Sequence, residues 1–476
     1  MTYCTPGLFI SGTVRSDTRA GGDVVNPATG EVIGRVPHAS AADLNEALAA
    51  ATKAFPIWAK TPALERSVIM RKAADLVRER ADSIARILTL EEGKILTEAR
   101  AEVIGAAEIF EWFAEEGRRN YGRIVPARDA GGRAMVFKEP IGPVAAFTPW
   151  NFPAVTPARK IGAALAAGCT MILKAAEETP GTAFELVRAF ADAGLPAGVL
   201  NLVFGDPAAV STHLIASPDI RKVSFTGSVA VGKHLMKLCA ENLQRTTMEL
   251  GGHAPVFICA DTDLDAAVRM AGWGKFRNAG QACTSPTRFF VQDSVFEEFT
   301  ERFVAYAKAI KVGDGLLESS TMGPVANDRR MQAMEKLVAD AEKRGAQVRA
   351  GGKRIGNRGF FYEPTVVAHA PDDSLVMTTE PFGPIAPVIA FKTLDEAIAR
   401  ANSVSVGLAG YAFTQSISVV EKLTADLRVG VLGVNTVIIN PPETPFGGVK
   451  ESGHGSEGGI EGLQAYLDTK FVHQIS

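Results

Sequence analysis

Between about residues 141 and 250 the chain alternates short apolar runs with helical patterns, and this alternation narrows the possible folds more than any other feature. IGPVAAF (141–147) leads into the alanine-rich ARKIGAALAAG (158–168), TMILK (170–174) into TAFELVRAFADAG (182–194), and VLNLVFG (199–205) into PAAVSTHLIAS (207–217). VSFTGS (223–228) closes the series and opens another helix. Strands alternating with helices of this length predict βαβ units and a parallel sheet covered on both faces, an α/β fold. Right-handed crossovers then place the strand C-termini, and the loops after them, along one edge. The stretch 40–117 reads as helical, and 254–430 repeats the alternation as a second parallel-sheet unit. Segments near 123–140 and 459–476 fit neither series. At 476 residues the chain is long enough for two or three domains.

The motifs fall on those predicted strand ends. PWNFP (149–153) locks Asn151 between prolines, so its amide is a candidate preorganised donor to a developing oxyanion; otherwise it is a turn residue with Trp150 and Phe152 as core. Lys174 ends a strand with Glu177 three residues on, a pair able to hold the hydroxyls of a ribose or simply to sit solvated at the surface. In FTGSVAVG (225–232), Gly227 and Ser228 mark a strand-to-helix junction that can face a phosphate or be a plain capped turn. The formal G-x-G-x-x-G at Gly453, Gly455 and Gly458 follows no predicted strand and leaves no room for a βαβ unit, so it reads as a glycine-rich loop.

One cysteine stands out. FRNAGQACTSPTR (276–288) sets Cys283 after an Asn-Ala-Gly-Gln turn, and Glu249 opens ELGG upstream. A thiol so presented is a nucleophile, and Glu249 can activate water against the resulting thioester; the bland alternative is a buried small hydrophobe. EPFGP (380–384) and PFGGVKESGHG (445–455) are proline- and glycine-fixed loops of the kind that line a cleft.

Composition removes other classes. The net charge of −3 gives no reason to expect nucleic acid or a membrane as partner. Five widely spaced cysteines without a C-x-x-C pair predict neither a disulfide framework nor zinc, and the seven histidines show no metal-binding spacing. The N-terminal MTYCTPGLFISGTVRSD does not read as a signal peptide, and no apolar run is long enough to span a bilayer, so the cytoplasm is the expected compartment.

Taken in order, PWNFP, K-x-x-E, FTGS, ELGG, GQ-x-C, EPFGP and PFGG-x-K-x-SG-x-G resemble the aldehyde dehydrogenase superfamily over nearly the whole chain. EWFAEEGRRNYGRIVP (111–126), the cysteine loop and the tail PFGGVKESGHGSEGG look most like NAD(P)-dependent succinate-semialdehyde and α-ketoglutaric-semialdehyde dehydrogenases. The resemblance implies an NAD-binding domain (1–117 and 141–250), a catalytic domain (251–442) and an oligomerisation arm (118–140 and 459–476) in a homodimer or homotetramer. It implies Cys283 as nucleophile, Glu249 as general base, and Asn151 with the Cys283 backbone N–H as oxyanion hole. Trp150, Lys174, Glu177, Gly227, Ser228, Leu250, Glu380 and Phe382 would line NAD, with NADP possible. Arg159 and Arg277 match the arginines that hold a substrate's distal carboxylate in such enzymes, whereas Asn440, followed by PPET, stands where a serine is usual. Ser285 replaces the second cysteine found in some relatives. A cofactor-independent thiol hydrolase, an aldehyde dehydrogenase of other specificity, and a non-catalytic binding protein are the competing readings, which formation of reduced cofactor from aldehyde would separate.

Overall fold

The computed structural model describes Tyr3, residues 6–16 and residues 21–475. Cys4 and Ser476, the last residue of the expected arm, lie outside the described residues. Two sheets dominate. In the first, five parallel strands run in the order Leu200–Val203, Met171–Lys174, Val144–Phe147, Lys222–Gly227 and Arg245–Leu250. Chain order therefore reverses between the strand ending at Phe147 and the strand ending at Gly227. In open α/β sheets such a reversal opens a crevice at the strand C-termini, where ligands bind. Leu8–Ile10 adds to one side of this sheet. Gly453–His454 adds to the other, pairing antiparallel with Met248 and Glu249. The glycine-rich segment expected to be only a loop thus supplies a short edge strand beside the strand that carries Glu249.

The strands are short and buried on both faces: Val144–Phe147, Met171–Lys174 and Leu200–Val203 are buried at every residue. That burial explains why these runs are continuous in apolar residues rather than alternating. Helices Val155–Ala167, Pro180–Asp192, Pro207–Ala216 and Val229–Ala240 supply the crossovers. Four preceding helices fill residues Ala41–Glu116 and share the same hydrophobic core.

The second sheet has seven strands around Ala254–Ile258 and Pro286–Gln292, which are parallel neighbours. Its core, from Ala254 to Ile439, is a separate cluster of buried side chains. The two segments that fitted neither series pair with each other: Leu467–Ile475 lies antiparallel to Gly132–Pro140, with Arg123–Val125 beyond it. Among the described residues no helix is long and apolar enough to cross a membrane.

Candidate active site

The loops after the reversed strands and the loop before Pro286 meet at one place. Thr148, Trp150 and Asn151 follow Phe147, Glu249 and Leu250 end the neighbouring strand run, and Cys283 precedes the second sheet's strand Pro286–Gln292. From Asn278 to Val291 every residue is buried except Cys283, which is partly open. The fold thus exposes the thiol and little else of this loop.

The turn that presents the thiol is strained. Asn278 and Ala279 both take φ of 50° and Gly280 takes 72°. Left-handed backbone costs roughly 1–2 kcal/mol at each non-glycine residue, so other contacts must hold it. Asn278 supplies several. Its N–H donates to Glu98 Oε2 at 2.9 Å, and its Nδ2 donates to the Asn151 carbonyl at 2.9 Å. At Gly280 a Cβ would stand 2.2 Å from the Gly383 carbonyl oxygen, which explains the glycine. Gly251 similarly leaves room for Glu380: a Cβ there would meet Glu380 Oε2 at 2.5 Å.

Asn151 is buried, and its Nδ2 donates to the Gln281 carbonyl at 3.0 Å. Its amide is therefore tied to the cysteine loop two residues before Cys283, with a second N–H on the same nitrogen still available. Glu249 is also buried, and its Oε1 has no hydrogen-bond partner among the described residues. Burial pushes this carboxyl up to about 8, with Glu457 and Glu380 reinforcing the shift and Lys160 and Arg159 opposing it. Burial, together with the neighbouring Glu249 and Glu380 carboxyls, holds the Cys283 thiol well above its ordinary value. The thiol therefore holds its proton more firmly than a free cysteine, beside a carboxyl that can accept a proton once it is itself ionised.

Two groups that the sequence reading did not single out lie behind this centre. Lys160, wholly buried, forms an ion pair with Glu457 and donates to Ser224 Oγ at 3.1 Å. The signal for it was a lysine, beside Arg159, in a helix otherwise built mostly of apolar residues; Glu457, in a polar tail, carried no such mark. Lys94 donates from Nζ to Glu102 and to the Asn151 carbonyl.

The other sequence-predicted residues divide into three places. Lys174 and Glu177 form an ion pair, and Glu177 Oε1 also accepts from the Gly205 N–H at 3.2 Å. Ser228 caps the helix Val229–Ala240, accepting from the Val231 N–H at 3.4 Å. Trp150 meets Phe382 edge to face at 5.6 Å, and Glu380 accepts from the Gly252 N–H at 3.2 Å. Gly227 and Leu250 sit at adjacent strand ends. Thr148 and Thr226, at two of these strand ends, bury hydroxyls that have no partner among the described residues. Open donors, a helix N-terminus and a fixed carboxylate along one crevice suit a dinucleotide.

Arg159 is buried, with Nη1 donating to the Glu457 carbonyl at 2.7 Å and Nη2 to the Asn440 carbonyl at 2.8 Å. Asn440 therefore meets Arg159 through its backbone. Arg277 is partly exposed over the rings of Trp273 and Phe152, at 5.3 and 5.8 Å, and its guanidinium makes no hydrogen bond or ion pair among the described residues. Arg159 lies within electrostatic reach of Glu249 and Cys283, and Tyr411 within reach of Arg277 and Cys283. Among the described residues no group of three or more His, Cys, Asp or Glu could hold a metal.

The profile of the aldehyde dehydrogenase family matches residues 13–472. A putative 4-(hydroxymethyl)benzenesulfonate dehydrogenase of Comamonas testosteroni is 49% identical, over 100% of this chain and 99% of its own. The NADP(+) succinate-semialdehyde dehydrogenase of Escherichia coli K12 is 44% identical over 94% of this chain and 93% of its own. A crystal structure of succinate-semialdehyde dehydrogenase from Burkholderia pseudomallei superimposes with a TM-score of 0.97 at 42% identity, covering 100% of this chain and 98% of that one. The chain belongs to the aldehyde dehydrogenase family, enzymes that oxidise aldehydes with NAD or NADP.

Proposed function

We propose that this enzyme oxidises a short aldehyde carrying a distal carboxylate, succinate semialdehyde or α-ketoglutaric semialdehyde, to the dicarboxylic acid through Cys283. The observation that carries the substrate class is Arg277, a guanidinium beside the cysteine loop with no hydrogen-bond or ion-pair partner among the described residues. A planar guanidinium matches a carboxylate in a bidentate pair. Arg159, anchored from behind by two carbonyls, still has N–H groups to offer from a fixed position.

In this reading Glu249 takes the thiol proton, and the Cys283 sulfur bonds to the aldehyde carbon. The carbonyl electrons move to oxygen, where the Asn151 amide and the Cys283 backbone N–H hold the alkoxide. Hydride then leaves this carbon, and a nicotinamide held in the crevice would supply its acceptor. The C=O bond re-forms, leaving a thioester on Cys283. Glu249 releases the thiol proton to solvent and then takes a proton from water, whose oxygen attacks the thioester. The carbon–sulfur bond breaks, the acid departs, and Glu249 returns its proton to the sulfur, restoring the thiol.

For the cofactor, Lys174 and Glu177 would hold the adenosine ribose, with Trp150 and Leu250 beside the dinucleotide. Gly227 and Ser228 would face the pyrophosphate, and Glu380 with Phe382 the nicotinamide ribose. Residues 1–117 and 141–250 would form the cofactor-binding unit and 251–442 the catalytic unit, in line with the two separate cores. The arm, 118–140 with 459–476, would join subunits into a homodimer or homotetramer. Its exposed Ile124, Phe137, Phe471 and Ile475 give that role an apolar surface to bury.

A second reading replaces the carboxylate by a sulfonate, favoured by the 49% identical Comamonas relative. Measuring kcat/KM over succinate, glutarate and α-ketoglutaric semialdehydes, a sulfonated benzaldehyde and an uncharged aldehyde of similar length separates them. A carboxylated semialdehyde should lead. Preference for the sulfonated substrate would select the second reading, and preference for the uncharged one would remove both.

A further inference from the structure

The helix Val155–Ala167 opens at Ala154, whose side chain cannot cap the free N–H groups of its first turn. The acceptor comes from another helix. Glu102, on Leu96–Glu116, accepts at Oε1 from the N–H of Ala154 at 2.8 Å and of Val155 at 3.3 Å. Its other oxygen accepts from Lys94 Nζ at 2.7 Å. The same ammonium donates to the Asn151 carbonyl at 2.8 Å and lies 4.1 Å from the centre of the Phe152 ring. Asn278 reaches that carbonyl too, at 2.9 Å. The Asn151 carbonyl is therefore clamped by a cation from the first half of the chain and an amide from the cysteine loop.

Lys94 and Glu102 are both buried. A buried ion pair is weak evidence for stability, since an apolar pair of similar size often serves as well. What an apolar pair could not do is grip the Asn151 carbonyl and cap Ala154 at once. Between those two contacts lie only Phe152 and Pro153, a tether too short to let the peptide drift.

We propose that Lys94 and Glu102 are positioning residues for the oxyanion donor: together they fix the peptide of Asn151 so that its carboxamide meets the developing alkoxide. This rests on the reading of Asn151 as that donor. A misplacement of about 1 Å at a reacting centre can cost roughly 100-fold in rate, and the loss of this grip should register on that scale.

The test is a double-mutant cycle on the full-length enzyme with Lys94→Met, Asn151→Ala and the double variant. Aldehyde oxidation is measured alongside hydrolysis of p-nitrophenyl acetate, which uses the same thiol and oxyanion but no hydride transfer. Lys94→Met should lower kcat for both reactions by about 10- to 100-fold, with KM and the dissociation constant for NAD little changed. In the Asn151→Ala background the same change should cost nothing further, because Lys94 acts only through that residue. A slow Asn151→Ala enzyme combined with multiplicative losses would overturn the positioning role alone. Wild-type kcat in Asn151→Ala would remove the oxyanion reading and the proposal with it. If Lys94→Met does not fold, Glu102→Gln takes its place in the cycle: it keeps an acceptor for Ala154 but can turn its amide donors toward Lys94.

Discussion

Arg159 donates from Nη2 to the backbone carbonyl of Asn440 at 2.8 Å, so the position where related enzymes carry a serine bears on this arginine through the main chain. Arg277 has no such anchor. The two arginines should therefore respond differently to removal. Arg277→Leu should weaken a carboxylated semialdehyde by about 2–5 kcal/mol, the cost of truncating one side of a buried charge pair, and barely affect an uncharged aldehyde. Arg159→Leu should lower both, because it also leaves a buried and a half-buried carbonyl without this donor. The ratio of kcat/KM for charged and uncharged substrates reads this directly. Equal losses in Arg277→Leu would reduce Arg277 to a structural cation.

NAD should be preferred over NADP. Lys174 and the Gly205 N–H hold Glu177 in place, so its carboxylate cannot readily turn away from a 2′-phosphate. Like charges brought together cost up to several kcal/mol. Glu177→Ser should narrow the preference by raising kcat/KM for NADP. An unaltered enzyme that used NADP as well as NAD would show that Glu177 does not face the ribose.

The pH profile follows from Glu249. Its carboxyl is pushed up to about 8 by burial, and a base acts only when ionised. The ionised fraction therefore grows as pH rises through about 8 and falls away below it. With hydrolysis of the thioester limiting, kcat should climb with pH to a plateau above that value. Glu249→Gln should lose the limb together with the turnover. A wild-type kcat that is flat between roughly pH 6 and 9 would exclude Glu249 as the titrating base.

Lys160 lowers the Glu249 carboxyl and pairs with the buried Glu457. Lys160→Met should thus move the same limb to higher pH. It should also destabilise the protein by about 3–5 kcal/mol, the usual cost of leaving one member of a buried ion pair alone. Adding Glu457→Gln should recover part of that stability. Denaturant midpoints measure the second effect, and an unchanged midpoint in Lys160→Met would contradict it.

The strand–helix alternation and the helix crossovers were legible because they rest on local signals. A run such as MILK is apolar at both faces, and GAALAAG carries a helix with a glycine stop at Gly168, where φ is 97°. The loops carrying Asn151, Glu249 and Cys283 were legible because proline and glycine mark them. Three things were not. The Lys94–Glu102–Asn151 connection joins residues up to 57 positions apart through side chains that read as ordinary surface charges. Asn440 looked like a side-chain contact, and nothing local shows that its carbonyl is what Arg159 meets. The strand Gly453–His454 is two residues long and exists only because Met248 and Glu249 lie beside it.

The central claim is a covalent acyl enzyme at Cys283 released by Glu249. Rapid mixing of Glu249→Gln with NAD and succinate semialdehyde tests it most directly, followed by intact-mass analysis of the quenched protein. The expected result is one burst of reduced cofactor per active site, then slow turnover, with an acyl group of the substrate's mass on Cys283 that is absent in Cys283→Ala. Steady oxidation at the wild-type rate by Glu249→Gln, or a burst without any adduct at Cys283, would contradict the account.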